Sequence, residues 1–419
     1  MDRRRVLELA LALVLAGVSL SCRSPKPPAT DIGRNLFAEA GHSPAEIRSK
    51  VDSAFAQLFH GDPDTQAVYF PAGTNANGAL AYIWDMGNGD VRSEGMSYGM
   101  MIAVQLNRKV EFDALWNWAR TFMYHSATNH PSCGYFSWSM TTNGVAKDEM
   151  PAPDGEEYFV TSLYFAAARW GNGPGIYNYR AEAGRLLTDM RHRQLITGRT
   201  VKGEITAGAL FEPDKKMIRF TPDITGWTHT DPSYQLPAFY EVWAQCGPLE
   251  DREFWAQAAA VSRDFFSRTA NPTNGLTPDY ANFDGTPWIV DWNPHSGDFQ
   301  YDAWRTAMNW SVDWSWWGKD AREQELSDRL QAFFESEGMT NYSDRFTLTG
   351  SPIGADHSQG LVAMNATTSL AATNPRAKQF VEELWNLPVP DGQWRYYNGM
   401  LYLMALLHCG GEFKIWIPQ

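Results

Sequence analysis

Four cysteines in 419 residues, none in a C-x-x-C pair, give no disulfide framework for the fold to rest on. The nine histidines form no H-E-x-x-H pair and no close cluster with cysteine, so neither a zinc site nor any other metal or cofactor is expected. Basic residues are in deficit, 35 Lys and Arg against 48 Asp and Glu, and the resulting charge of −13 repels phosphate backbones. A nucleic-acid partner is thereby excluded. Composition is equally far from disorder, collagen or a multi-span membrane protein, and no periodic repeat or mid-chain linker argues for two domains. With 44% hydrophobic and 20% charged residues the chain can instead bury a sizeable core. What it has in abundance is 18 Trp and 17 Tyr, whose flat faces and polar edges suit sugar stacking as well as core packing.

Arg3, Arg4 and Arg5 precede an apolar run from Val6 to Leu20, which reads as an export signal over 1–21. Cys22 follows it as a candidate lipid-modified N-terminus and membrane attachment, although the bulky Leu20 stands two places before it where three is usual. The expected location is exported, periplasmic or at the cell surface. Residues 22–34 are a Pro-rich tether, and 35–419 are expected to form a single catalytic domain. No oligomeric partner is read from the sequence.

Ser43-Pro44-Ala45-Glu46 is a capping box with Pro at the first helical position, and Ile47, Val51, Phe55 and Leu58 follow at helical spacing. The same reasoning predicts helices near 94–107, 110–125, 155–170, 177–192, 232–245, 250–269, 302–316, 319–336, 358–372, 375–386 and 395–409. Apolar and charge-bearing members alternate: 94–107 carries a single charge at Glu94, whereas 319–336 is richly charged. Helices apolar all round are buried and those with a charged face lie outside. The expected fold is therefore all-α, a toroid of six inner and six outer helices, with short rim strands over Thr200 to Arg219 and Arg345 to Thr349. In consecutive antiparallel pairs every inner helix runs the same way, so their starts share one end. Those starts carry Glu94, Asp154, Asp231 with Tyr234, Asp302 with Arg305, His357, and Arg395 with Tyr396 and Tyr397.

Taken one at a time, these residues have ordinary readings. Glu94 suits the positive end of a helix, Asp154 with Glu157 resembles an N-terminal cap, and Asp302 with Arg305 is a local ion pair. Taken together, paired carboxylates flanking a cleft are the constellation for glycosidic hydrolysis, and a carboxyl entering an apolar, Tyr-rich wall is suited to be its general acid. Trp138 lies in a connecting segment and is the best candidate sugar platform. Gly95-Met96-Ser97-Tyr98-Gly99 also matches G-x-S-x-G, with Asp302 and His357 in the serine-hydrolase order, but the stretch before it is loop-like and the chain lacks alternating strands and helices. Gly171-Asn172-Gly173-Pro174-Gly175 follows a helix and reads as its terminator rather than as a phosphate loop.

The stretches D-V-R-S-E-G-M-S-Y-G-M at 90–100, P-A-P-D-G-E-E-Y-F at 151–159, D-P-S-Y at 231–234, Y-D-A-W-R at 301–305 and R-Y-Y-N at 395–398 resemble glycoside hydrolase family 8, in particular its reducing-end xylose-releasing exo-oligoxylanases. The likeness covers 35–418. It implies an (α/α)6 barrel and an inverting mechanism with Glu94 as general acid and Asp302 as general base. It also implies that Asp154 holds the sugar at the cleavage subsite, which Asp231, Tyr234, Arg305 and a Tyr of the 396/397 pair line, with Trp138 stacking on a neighbouring sugar. His357 matches a loop His that closes the cleft in exo-acting members and meets the reducing-end hydroxyl. The segment from Pro287 to Phe299 has no secure match. The substrate so implied is a β-1,4-xylo-oligosaccharide. The alternatives are endo action on xylan or another β-1,4-glycan, and a non-catalytic sugar-binding lipoprotein.

Overall fold

The computed structural model describes residues 33–418. The export signal expected over 1–21 and Cys22 lie outside them, and of the tether only Gly33 and Arg34 are described. After a short helix α1 (Leu36–Ala40), which the apolar spacing did not foretell, twelve helices follow. They are α2 (Pro44–His60), α3 (Ser93–Gln105), α4 (Lys109–Trp118), α5 (Pro153–Trp170), α6 (Tyr179–His192), α7 (Pro237–Cys246), α8 (Arg252–Thr269), α9 (Ala303–Trp317), α10 (Arg322–Glu337), α11 (Gln359–Thr367), α12 (Ala377–Asn386) and α13 (Arg395–Cys409). Their starts obey local chemistry. Ser43 Oγ accepts from the Glu46 amide and Glu46 returns the bond to the Ser43 amide at 2.8 Å, closing the capping box ahead of α2. Gly171, with φ +74°, ends α5.

The odd-numbered helices from α3 to α13 are the buried ones; in α3 every residue except Glu94 is buried. Each touches the next and α13 returns to α3, closing a ring, while α4, α6, α8, α10, α12 and α2 pack outside α3, α5, α7, α9, α11 and α13 respectively. This is the (α/α)6 barrel. One hydrophobic core runs from Leu36 to Phe413.

Three details differ from expectation. The helix predicted over 232–245 is a 3-10 turn, Pro232–Tyr234, followed by a break: Leu236 adopts φ −120°, ψ 64°, because the residue before a proline avoids the helical region, and α7 then starts at Pro237. The rim hairpins expected over 200–219 do form, Ile196–Thr200 with Gly203–Ala207 and Phe211–Glu212 with Met217–Ile218. No strand forms over 345–349, where Phe346 makes only isolated bridges to Phe299 and Pro352. A further hairpin, Tyr69–Asn75 with Gly78–Ile83, was not foreseen.

A buried ion network ties outer to inner ring. Arg263 on α8 grips Asp313 on α9 through Nε (2.6 Å) and Nη2 (2.8 Å) and reaches Glu241 on α7 through Nη1 (2.9 Å), with Lys319 completing Glu241 at 2.7 Å. Removing the cation alone leaves the fully buried Asp313 without its counter-ion and Glu241 with Lys319 only. Arg263→Met should therefore lower the unfolding free energy by about 3–5 kcal/mol, read from denaturant melts. A variant as stable as the wild type would show that the network contributes little.

Candidate active site

The inner helices all start at one end, and three of those starts meet at a single side chain. Arg305, in the first turn of α9 and 2% exposed, donates from Nη1 to Glu94 Oε2 (3.0 Å), Asp154 Oδ2 (2.7 Å) and the Tyr98 hydroxyl (2.5 Å), and from Nη2 to Asp302 Oδ1 (2.7 Å). The starts of α3, α5 and α9 are thus bound to one guanidinium. From α13, the Tyr396 hydroxyl reaches Glu94 Oε1 at 2.7 Å. A side-chain carbon at Gly95 would lie 2.5 Å from the Tyr396 ring, so glycine is what lets α13 approach closely enough. Asn398 Oδ1 accepts from the Gly360 amide and joins the start of α11.

Short strands supply the rest of the wall. Val91–Arg92 pairs with Ser139–Met140, so the Ser93 amide donates to the Trp138 carbonyl at 3.0 Å, and the half-buried Trp138 ring carries Arg92 on one face at 5.5 Å. His229–Thr230 pairs with Ala281–Asn282, which brings Asp231 beside Tyr280 and Asp279. Asp231 Oδ1 caps the 3-10 turn by accepting from the Ser233 amide at 2.6 Å, and Tyr234 flanks Arg305 at 6.0 Å. Tyr397 donates to the carbonyl of Tyr301 (3.0 Å), whose backbone stands at φ +34° immediately before Asp302.

Too many carboxyls share this volume for all to ionise. Burial pushes Glu94 up to about 7; the Arg305 cation and the Tyr396 hydrogen bond pull it down, while Asp154 and Asp302 add to the rise. Burial also raises Asp154, and lifts Asp231 and Asp279 well above the carboxylate range. Arg305, surrounded by anions, stays a cation. The arrangement therefore pairs a carboxyl able to carry a proton at neutral pH with a more exposed one, Asp302, across one guanidinium fork.

Of the residues singled out from sequence, Glu94, Asp154, Asp302, Arg305 and Tyr396 form one hydrogen-bonded group, with Asp231, Tyr234, Tyr397 and Trp138 around it. His357 stands apart from that group. Its Nδ1–H donates to the Tyr342 carbonyl at 2.8 Å, and its loop joins the site through Ser358 to Asp344 (2.7 Å), whose carbonyl binds Trp304 Nε1 (2.9 Å). Arg395 does not line the cleft: its buried guanidinium clamps the carbonyls of Pro63, Ala67 and Gly392. Asp154 is not a cap but the second residue of α5, and Glu157 accepts from Tyr240 (2.6 Å) rather than closing a box. Ser97 is buried with its hydroxyl on the Glu94 carbonyl, which leaves the serine-hydrolase motif without a nucleophile.

Two residues escaped the sequence. Tyr98 lies four after Glu94 on the same helical face, a signal hidden by the G-x-S-x-G reading. Asp279 sits in a loop and becomes visible only once the short strand pair sets it beside Asp231. One His/Glu group, His125, His130 and Glu149, also comes together among the described residues. One ring nitrogen of each histidine is engaged, His130 Nδ1 accepting from the Ser132 amide and His125 Nε2 meeting Ser137 Oγ, while the buried His130 Nε2 has no hydrogen-bond partner.

The family model described as Glycosyl hydrolases family 8 matches residues 82–411. A reducing-end xylose-releasing exo-oligoxylanase, Rex8A of Paenibacillus barcinonensis, is 41% identical over 384 residues, 91% of this chain and 96% of that protein. A crystal structure of a GH8 xylobiose complex from Teredinibacter turnerae is 60% identical, with TM-score 0.90, covering 92% of this chain and 98% of that one. A GH8 catalytic mutant xylohexaose complex of a xylanase from the same organism is 59% identical, with TM-score 0.91 and the same coverage.

If Glu94 must be protonated to act, kcat/KM should fall as pH rises through about 7. Tyr396→Phe removes a hydrogen bond that favours the ionised form, so the alkaline limb should move to higher pH. A limb that stays in place or moves down in that variant would detach it from Glu94.

Proposed function

Because the chain belongs to the glycosyl hydrolases of family 8, we propose that it is an inverting, reducing-end-acting exo-oligoxylanase, releasing single xylose units from β-1,4-xylo-oligosaccharides. The observation that carries the chemistry is the Arg305 fork, which sets the two carboxyls that hydrolysis needs on different nitrogens of one buried cation. Glu94, raised by burial, protonates the leaving oxygen. Asp302 takes the proton of a water that attacks the opposite face of the anomeric carbon, and inversion needs the two carboxyls about 6.5–9.5 Å apart to admit that water. Asp154 and Arg305 hold the sugar between them, with Asp231, Tyr234, Tyr396 and Tyr397 lining its subsite and Trp138 taking a neighbouring ring. His357, its ring oriented by the Nδ1–H bond to the Tyr342 carbonyl, meets the reducing-end hydroxyl through Nε2 and closes the cleft beyond it.

The substrate follows the exo-oligoxylanase likeness over nine-tenths of the chain. Endo action on xylan is the second reading, favoured by the 59% identical xylanase whose structure is a xylohexaose complex. The proposal extends to an exported enzyme with a lipid anchor at Cys22, supported by the charged and apolar run of residues 1–21.

Xylotriose isotopically marked at its reducing-end xylose, followed by proton NMR, separates the readings. Early release of marked xylose with an α-anomeric end on the unmarked xylobiose is expected. Unmarked xylose first, or a β-anomeric new end, would overturn reducing-end action or inversion respectively. Glu94→Gln and Asp302→Asn should each cut turnover by at least ~10²-fold; near-normal turnover in either would remove its role.

A further inference from the structure

Trp394, the residue just before α13, is 60% exposed, an unusual setting for the largest apolar side chain. It is nevertheless built in. A carbon placed on Gly87 would lie 2.5 Å and 2.6 Å from two ring atoms, so the indole rests directly against the Gly87 backbone. Both sides of that contact are rigid. The loop carrying Gly87 is closed by the Asp85 amide on the Asp90 carbonyl (2.8 Å) and by Asn88 on Asp85 (2.8 Å), and Arg92 binds both aspartates. The backbone beside Trp394 is clamped by Arg395 on Pro63, Ala67 and Gly392, with the Gly392 amide on the Thr65 carbonyl.

The position is also fixed relative to the chemistry. Two residues on, Tyr396 binds Glu94; the Gly87 loop leads through Val91–Arg92 into Glu94 itself. An exposed aromatic packed against a hydrogen-bonded loop that leads into Glu94 offers a ring surface at lower entropy cost than a free side chain would. A xylopyranose ring offers the complementary surface, a face of C–H groups with hydroxyls at its edge.

We propose that Trp394 is a distal sugar-stacking platform, its plane preset by Gly87, that takes a xylose ring of a longer chain outside the cleavage subsite. The inference rests on the xylo-oligosaccharide reading of the substrate. It makes Trp394 a determinant of preferred chain length rather than of bond cleavage.

The test measures kcat/KM on xylotriose and on xylohexaose for the wild type, Trp394→Ala, Trp394→Phe and Gly87→Ala, with thermal midpoints checking the fold. Trp394→Ala should lower the hexaose-to-triose ratio about five- to tenfold, chiefly through KM. Trp394→Phe should restore most of it, and Gly87→Ala, which displaces the ring, should fall between. An unchanged ratio in Trp394→Ala, or an equal loss on both substrates, overturns the platform while the wild-type rates leave the enzymatic reading standing. A wild type that cleaves neither oligosaccharide overturns that reading, and the platform with it.

Discussion

Everything at the open end of this barrel is organised around one buried cation. Arg305 has a planar, permanently charged fork with donors in fixed directions, and a Lys could not bind Glu94, Asp154 and Asp302 in the same geometry. Its charge makes it possible to collect carboxyls from α3, α5 and α9 in one largely buried volume. Its single charge also ensures that they cannot all be ionised together. Proton placement in the cleft thus follows from counting charges, and the helices are oriented by the bonds that hold them.

The surrounding barrel explains why such a junction survives. α3 and α5 bring carboxyls in their first turns and are buried over most of their length, so the site's polar chemistry is gathered at one end. Farther along, the Arg263 network repeats the same device in a structural role, locking α7, α8 and α9 without facing the cleft. The two networks differ in access: Asp313 is wholly buried, whereas Asp302 is left partly open to solvent.

Much of this was legible from residue spacing. Helical periodicity and the alternation of apolar with charged segments located twelve helices and assigned them to two rings, because burial on all sides leaves an unmistakable pattern. Short elements were not legible. α1 has five residues, and the strand pairs that place Trp138 and Asp279 have two residues each, too few for any period to register. Arg395 was misplaced for a different reason: its position at a helix start matched its neighbours, but which carbonyls a guanidinium finds depends on the loop folded over it. Asp154 shows the converse, since a cap and a cleft residue look alike until the helix start is fixed by Pro153. Recognition of the long motifs supplied roles that spacing alone left open between structural and chemical readings.

The backbone of Tyr301 gives Asp302 a property of its own. A bulky residue at φ +34° holds roughly 1–3 kcal/mol of conformational strain, retained only where neighbours over-determine it. Here the neighbours are Tyr397, on the Tyr301 carbonyl, and Arg305, on the Asp302 carboxylate one residue later. Asp302 is therefore aimed by a tensioned main chain latched at two points, rather than by a choice among side-chain rotamers. Such a latch gives the Asp302 carboxylate one direction, and it makes the precision of that direction a property of α13 and α9 jointly.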